Sequence, residues 1–245
     1  MGQNVFISGA DRGLGFALTK IMVENNWNVF AGAYMPQWTE LKELAEIHPI
    51  NLKIIPLDVS ADASVKKAAE LVSKSTDIID MIINNAGISG YDKDIKIKGS
   101  QDFNEIQKIY NTNSIGPIRV IEAFLPLIDK SKVKRLCFVS SEAGSINAAQ
   151  RDAWYGYCMS KAALNMGVKI LFNRLRPEGY TFRLYHPGWI QTYMSGKKNT
   201  EADFDPDRAA LNAIAYFMSK RCNKELENEE DRLVMRDWKG SEWPW

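Results

Sequence analysis

The chain has 245 residues, 45% of them hydrophobic and 25% charged, with 31 basic against 30 acidic side chains and a formal net charge of +1. That length suits one large α/β domain able to bury a full core without metals or cross-links, and the balanced charge argues against a general attraction to nucleic acid or anionic membrane. Three cysteines (Cys137, Cys158 and Cys222) without CxxC spacing, beside two histidines, argue against a disulfide framework or zinc site and fit a reducing cytosol, with Cys158 read as a small buried hydrophobe.

From Met1-Gly-Gln the chain enters a strand at Asn4–Ser8 directly, without a cationic targeting region or cleavage site, and no apolar run is long enough to span a bilayer. A cytoplasmic protein is expected. A helix over Gly13–Asn25 follows, then a strand at Asn28–Ala33, a helix at Trp38–Ile47, a strand at Leu52–Leu57, a helix at Ala61–Lys74 and a strand at Met81–Asn84. The second half reads as a helix over Phe103–Asn113 continuing towards Ile128, a strand at Arg135–Val139, a helix at Tyr155–Leu175, a strand at Thr181–His186, a helix at Pro206–Lys220 and a strand at Arg232–Met235. This alternation of short β-rich runs and longer helical patterns predicts βαβ units and a parallel sheet. Strands apolar on both sides, Val5-Phe-Ile7 and Met81-Ile-Ile83, suit a sheet covered on both faces. Of the least patterned stretches, Tyr91–Gln101 reads as a solvated loop and Thr192–Asp205 as either a lid or an ordinary surface loop.

Several loops at the carboxyl ends of these strands carry chemistry. Gly9-Ala-Asp-Arg-Gly13-Leu-Gly15 joins the first strand to the first helix, where glycines permit a tight turn and let a pyrophosphate approach backbone N–H groups and the helix N-terminus. A glycine cluster alone is more often a plain turn, so its position in the first βα unit is what favours phosphate. Asp58 ends the third strand and either accepts from an adenine amino group or caps the helix beginning near Ala61. Asn84-Asn85-Ala86-Gly87 ends the fourth strand; its amides can bridge strands and its small residues can admit a cofactor, or it is simply a polar turn. His186-Pro187-Gly188-Trp-Ile190-Gln-Thr192 offers a rigid bend for a nicotinamide amide, with His186 itself structural.

The sequence contains Tyr-x-x-x-Lys three times, at Tyr157/Lys161, Tyr193/Lys197 and Tyr216/Lys220. On a helix this spacing puts phenol and ammonium on one face, about one turn apart, and a nearby ammonium favours the phenolate. The Tyr193 copy contains Gly196 and falls in a loop, and the Tyr216 copy reads as an amphipathic surface helix. Tyr157 alone follows a hydroxyl-bearing turn, Ser140-Ser141-Glu-Ala-Gly144, at the end of an apolar run.

Taken together, Gly9/Gly13/Gly15, Asp58, Asn84–Gly87, Asn113, Ser141, Tyr157/Lys161, Pro187-Gly188 and Thr192 closely resemble, in order and over nearly the whole chain, the classical short-chain dehydrogenase/reductase family. The ending, Met235 to Trp245 with its Pro-Trp tail, looks like the sniffer and C-factor-like branch. The resemblance implies a single NAD(P)-binding domain over residues 1–245, a Rossmann-type doubly wound α/β fold with a seven-stranded parallel sheet. It implies a relay in which Tyr157 is general acid and base, Lys161 lowers its pKa and holds the nicotinamide ribose, Ser141 binds the substrate oxygen, and Asn113 holds a water leading to solvent. It carries cofactor contacts to Gly9, Arg12, Gly13, Leu14, Gly15, Tyr34, Asp58, Val59, Asn85, Ala86, Gly87, Tyr157, Lys161, Pro187, Gly188, Ile190 and Thr192. Ser141 and Tyr157 are sixteen residues apart, longer than is common in the family, which implies an enlarged loop at Asn147–Trp154 over the substrate pocket.

After the second strand, Phe30-Ala-Gly-Ala-Tyr34-Met lacks the carboxylate that holds a free ribose 2′-OH. Arg12 occupies a place where basic residues in this family resemble 2′-phosphate ligands, which a guanidinium suits through charge-assisted hydrogen bonds, or is a solvated turn residue; NADP(H) is favoured, with NAD(H) the alternative. Trp154, Trp189, Tyr193 and Met194 suggest an apolar pocket, or ordinary core, and no cationic cluster marks an acidic substrate. The expected partner is a small uncharged carbonyl or alcohol, with no nucleic acid and no membrane. The resemblance also implies a homodimer or homotetramer. Two rival readings share the scaffold: a non-catalytic NADP(H)-binding regulatory or signalling protein, and a sugar-nucleotide epimerase or dehydratase.

Overall fold

The computed structural model describes residues 2–91, 93–194, 198–219 and 229–245. Its strands β1 (Asn4–Ser8), β2 (Asn28–Ala33), β3 (Leu52–Pro56), β4 (Met81–Asn84), β5 (Arg135–Val139), β6 (Thr181–His186), β7 (Met235–Asp237) and β8 (Glu242–Trp243) form one sheet in the order β3-β2-β1-β4-β5-β6-β7-β8. Neighbours pair in parallel from β3 to β7. The strand order reverses between β1 and β4, so the carboxyl ends of those two strands open the crevice where doubly wound folds bind ligands.

Alternation along β1 divides the core. Phe6 faces α3 (Asp62–Ser73), α5 (Gly116–Ile128) and α6 (Tyr155–Leu175), meeting Phe124 at a centroid distance of 4.1 Å. Val5 and Ile7 face α1 (Gly13–Glu24), α2 (Glu40–Ile47) and α7 (Pro206–Phe217). Every residue of β4 is buried, because helices cover both faces of the sheet. Two helix starts are fixed by carboxylates: Asp102 accepts from the amides of Asn104 and Glu105 to open α4 (Phe103–Tyr110), and Asp205 accepts from Arg208 to open α7.

The structure departs from the sequence reading in three places. The helix expected to run from Phe103 towards Ile128 is broken by a π turn over Asn111–Ile115. Pro117 has no N–H to give the carbonyl of Asn113 four residues back, so the ladder shifts there. The last predicted strand, Arg232–Met235, lies at Met235–Asp237 instead, and an eighth strand pairs antiparallel to it, Met235 opposite Trp243. The sheet is therefore mostly rather than wholly parallel. The turn between them is set by Asp237, whose carboxylate accepts from the amides of Lys239 and Ser241. Finally, Cys158 is half-buried on α6, not buried. Lys197, Lys220 and Cys222 lie outside the described residues. Among the described residues, no helix is long and apolar enough to cross a membrane.

Candidate active site

The turn leaving β1 lies against the turn leaving β4. Asn85 Nδ2 donates to the carbonyls of Ser8 (3.1 Å) and Gly9 (3.0 Å), while the Ser8 hydroxyl accepts from the amides of Asn85 and Ala86, each at 3.1 Å. Asn85, rather than Asn84, thus makes the strand bridge expected from the sequence. Gly9 sits at φ +67°, and a Cβ there would stand 2.9 Å from the Ala86 Cα; only glycine meets both demands. α1 begins after Arg12 with no side-chain cap and no acidic residue in its first turn. Its first N–H groups therefore face the cleft without a capping partner from the chain.

That cleft is lined by Gly9, Arg12, Gly13, Leu14, Gly15, Tyr34, Asp58, Val59, Asn85, Ala86, Gly87 and Thr192, all of them expected cofactor contacts. It is lined as well by Asp11, Met35, Leu57, Ser60, Ile88, Lys108, Thr112, Tyr193 and Met194, which the sequence reading did not assign to the cofactor. Asp11 is buried and accepts from the amide of Tyr34 at 3.1 Å, fixing the backbone after β2. Its carboxylate within a glycine-rich turn was the available signal. Asp58 Oδ1 accepts from the amide and hydroxyl of Ser60 at 2.8 and 2.6 Å, so its carboxylate folds the local turn and leaves α3 uncapped by any side chain. At the far end of the cleft the Arg12 guanidinium donates to Met35 Sδ and lies 5.5 Å from the Trp38 ring centroid. Trp38 in turn meets Tyr193 edge-on at 4.6 Å, and Ser89 Oγ donates to the Met194 carbonyl at 3.2 Å. Tyr193 and Met194 thereby border the cleft.

At the near end, α6 carries Tyr157 and Lys161 on its buried face. Ser141 caps a short 3₁₀ turn, Glu142–Gly144, its hydroxyl accepting from the Ala143 amide at 3.2 Å and sharing a hydrogen bond with the Tyr157 phenol. Gly144 makes this proximity feasible, since a Cβ there would lie 2.7 Å from the Lys161 backbone carbon. Asn113, in the π turn, donates to the Ile88 carbonyl (2.8 Å) and Ser160 hydroxyl (3.0 Å) and accepts from the Ile88 amide (2.9 Å). A Cβ on Gly87 would meet Asn113 Oδ1 at 3.2 Å and Lys161 Nζ at 3.7 Å, so the cleft and the Tyr157 cluster adjoin at this residue.

The electrostatics differ from expectation. Lys161 Nζ donates to the Val139 carbonyl at 3.0 Å and lies 5.7 Å from the Tyr157 ring centroid. Burial pushes the Tyr157 phenol up to about 12 despite the hydrogen bond with Ser141, and lowers Lys161 to about 8. In the chain alone, loss of hydration outweighs the attraction that was expected to acidify the phenol.

Pro187, Gly188 and Ile190 lie on the segment after β6, beyond the residues that line the cleft. Gly188 packs against Phe204 and Trp238, and Ile190 bridges to Phe204. His186 is buried between Trp238 and Trp243, and burial lowers it to about 4, as a structural residue. Tyr216 packs on Tyr185 in the core, away from the cleft. Of the aromatic residues expected around the pocket, Trp154 stacks on Tyr157, Tyr193 and Met194 line the cleft, and Trp189 is 53% exposed. The loop at Asn147–Trp154 is held at its start by Asn147, whose amide donates to the Trp245 carbonyl at 3.2 Å.

Comparison with known proteins agrees with this geometry. Residues 3–203 match the family model described as short chain dehydrogenase. The C-signal protein of Myxococcus xanthus is 36% identical over 167 residues, covering 68% of this chain and 93% of its own. The NADPH-bound carbonyl reductase from chicken fatty liver superposes over 100% of this chain and 99% of its own, with a TM-score of 0.85 and 29% identity. The carbonyl reductase Sniffer of Drosophila melanogaster covers 100% of both chains, with a TM-score of 0.86 and 25% identity.

Proposed function

The chain belongs to the short-chain dehydrogenase family of NAD(P)-dependent oxidoreductases, and from that premise we propose that it transfers hydride between NADP(H) and a small uncharged carbonyl or alcohol, with Tyr157 as acid and base. The observation that carries this reading is the meeting, at Gly87, of a glycine-lined cleft with the Ser141, Tyr157 and Lys161 cluster. The residues fit the dinucleotide. The uncapped N-terminus of α1 on the cleft suits a pyrophosphate, and Arg12 at the far end suits a 2′-phosphate. Asp58 and Val59 would flank the adenine, and Pro187, Gly188, Ile190 and Thr192 the nicotinamide amide.

When bound, the nicotinamide supplies or accepts the hydride. The chain manages the proton. Ser141 donates a hydrogen bond to the substrate oxygen and stabilises the negative charge that develops there. Tyr157, a phenol that burial pushes up to about 12 and that is protonated at neutral pH, delivers its proton to that oxygen in reduction and takes it back in oxidation. Lys161 steadies the phenolate left behind and holds the ribose. Asn113 orders the Ile88 backbone beside Lys161 and lies on the route for proton return. Burial of Tyr157 and Lys161 keeps bulk water from this exchange.

Purified protein tests the reading by oxidation of NADPH with a panel of neutral aldehydes and ketones. Turnover that vanishes in Tyr157→Phe while NADPH binding persists supports it. A signalling response that survives in Tyr157→Phe favours the non-catalytic alternative, and turnover that survives removes Tyr157 as acid and base. The exposed apolar residues Met159, Met166 and Ile170 on α6, with Tyr110 and Ile115 on the adjoining helices, support homodimer or homotetramer formation through these faces.

A further inference from the structure

We propose that Trp154 is a positioning residue, whose indole holds the Tyr157 ring in the plane that aims its hydroxyl at Ser141 and at the substrate oxygen. The inference rests on Tyr157 being the proton donor.

The first observation is backbone conformation. Trp154 stands at φ 64°, ψ 41°, in the left-handed region, at the residue before α6. Bulky aromatic residues rarely adopt this conformation, and it persists where surrounding contacts over-determine it. Those contacts are present. The indole Nε1 donates to the Ser89 carbonyl at 2.8 Å. The Arg151 guanidinium lies 5.3 Å from the indole centroid and is itself ion-paired with Glu142. Ser89 follows the Asn84–Gly87 turn and Glu142 follows Ser141, so Trp154 is clamped between the two turns that flank the reacting centre.

The second observation is what the clamped ring does. Its centroid lies 4.4 Å from that of Tyr157, with 18° between the planes. Tyr157 comes three residues later, in the first turn of α6, so the left-handed bend at Trp154 is what lays the indole over the phenol. A phenol ring so stacked cannot turn about its Cβ–Cζ axis without driving an edge into the indole, and because a phenolic O–H bond lies in the ring plane, the stack fixes the direction of that bond. Lys161 Nζ, 5.7 Å from the same phenol centroid, further restricts it. A residue that served only to wall a pocket would need neither the strained backbone nor the parallel contact.

The test combines a structural and a kinetic readout. In protein labelled with ¹³C-tyrosine, the signal absent from Tyr157→Phe identifies Tyr157. The expected wild-type signal carries the ring-current shift of a stacked indole and separate resonances for the two ring edges. Trp154→Phe should keep both features, and Trp154→Ala should lose both. In turnover, Trp154→Ala should lower kcat by about ten- to a hundred-fold with NADPH affinity unchanged, and Trp154→Phe should restore most of it. An unchanged Tyr157 signal in Trp154→Ala, or a loss confined to KM, would overturn the proposal. Trp154→Leu fills the space without a ring and must behave as Trp154→Ala, which keeps the test decisive if the alanine variant folds poorly. The spectroscopic arm needs no substrate. A chain that reduces no carbonyl would therefore defeat the proposed reaction, while the Tyr157 signal still decides the role of Trp154.

Discussion

Arg12, the extended residue before α1, spreads its guanidinium against Met35 and Trp38, where a 2′-phosphate would compete for its donors. Charged hydrogen bonds of this kind contribute about 1.5–3 kcal/mol, so Arg12→Ala should weaken NADPH binding by about ten- to a hundred-fold. NADH should be little affected, as read by nucleotide fluorescence titration; equal losses for both would remove Arg12 from the phosphate site. Lys161 gives a second expectation. Its folded pKa of about 8 lies below the ordinary 10.5, so between those values the unfolded chain holds the proton that the folded chain has lost. Stability relative to a Lys161→Met variant should therefore rise with pH from about 8 to 10.5. Tyr157 acts oppositely, its folded state keeping the proton from 10 to about 12, so above pH 10 its contribution falls. Denaturant titrations of both proteins across this range would test the sign, and a flat difference curve would refute it. The identities of Tyr157, Lys161 and Ser141 were legible in the sequence because spacing and context singled them out. The direction of the Tyr157 shift was not, because it depends on burial and on Lys161 turning to the Val139 carbonyl, and neither leaves a mark in local pattern.

At the scale of elements, the π turn over Asn111–Ile115 is the feature that places Asn113. Asn113 is 1% exposed and makes three hydrogen bonds to Ile88 and Ser160. Its replacement by alanine leaves the Ile88 amide and carbonyl unpaired and should cost about 1–3 kcal/mol, seen as a lower Tm. It should also lower turnover, because the same bonds order the chain beside Lys161. Loss of turnover without loss of stability would assign Asn113 to proton return alone. The core strands β1, β2, β5 and β6, and helix α6, match the bounds read from the sequence because hydrophobic periodicity and flanking turns mark them. The π turn was hidden because the apolar pattern runs through it and only Pro117 hints at a break. Strands β7 and β8 were misplaced or missed since two or three residues are too few to display alternation, although Asp237 and Gly240 mark the turn between them.

For the whole molecule, strand order places the carboxyl ends of β1 and β4 side by side, bringing residues far apart in sequence to one cleft. The alternation of strands and helices made this doubly wound arrangement legible. Contacts between distant loops, such as Trp38 with Tyr193 and Trp154 with Tyr157, emerge only from folding. The exposed apolar stripe of Met159, Met166 and Ile170 on α6 should bury itself against a second copy. Light scattering should report a dimer or tetramer for the wild type and a smaller species for Met166→Glu/Ile170→Glu, while a wild-type monomer would refute the interface. The central claim is that Tyr157 exchanges the proton in NADPH-dependent carbonyl chemistry at the end of this cleft. The most direct measurement compares NADPH oxidation and NADPH binding in wild type and Tyr157→Phe with a panel of neutral carbonyls. The expected result is turnover in the wild type, its near-complete loss in the variant, and equal NADPH binding in both. Undiminished turnover by Tyr157→Phe, or absence of NADPH binding by the wild type, would contradict it.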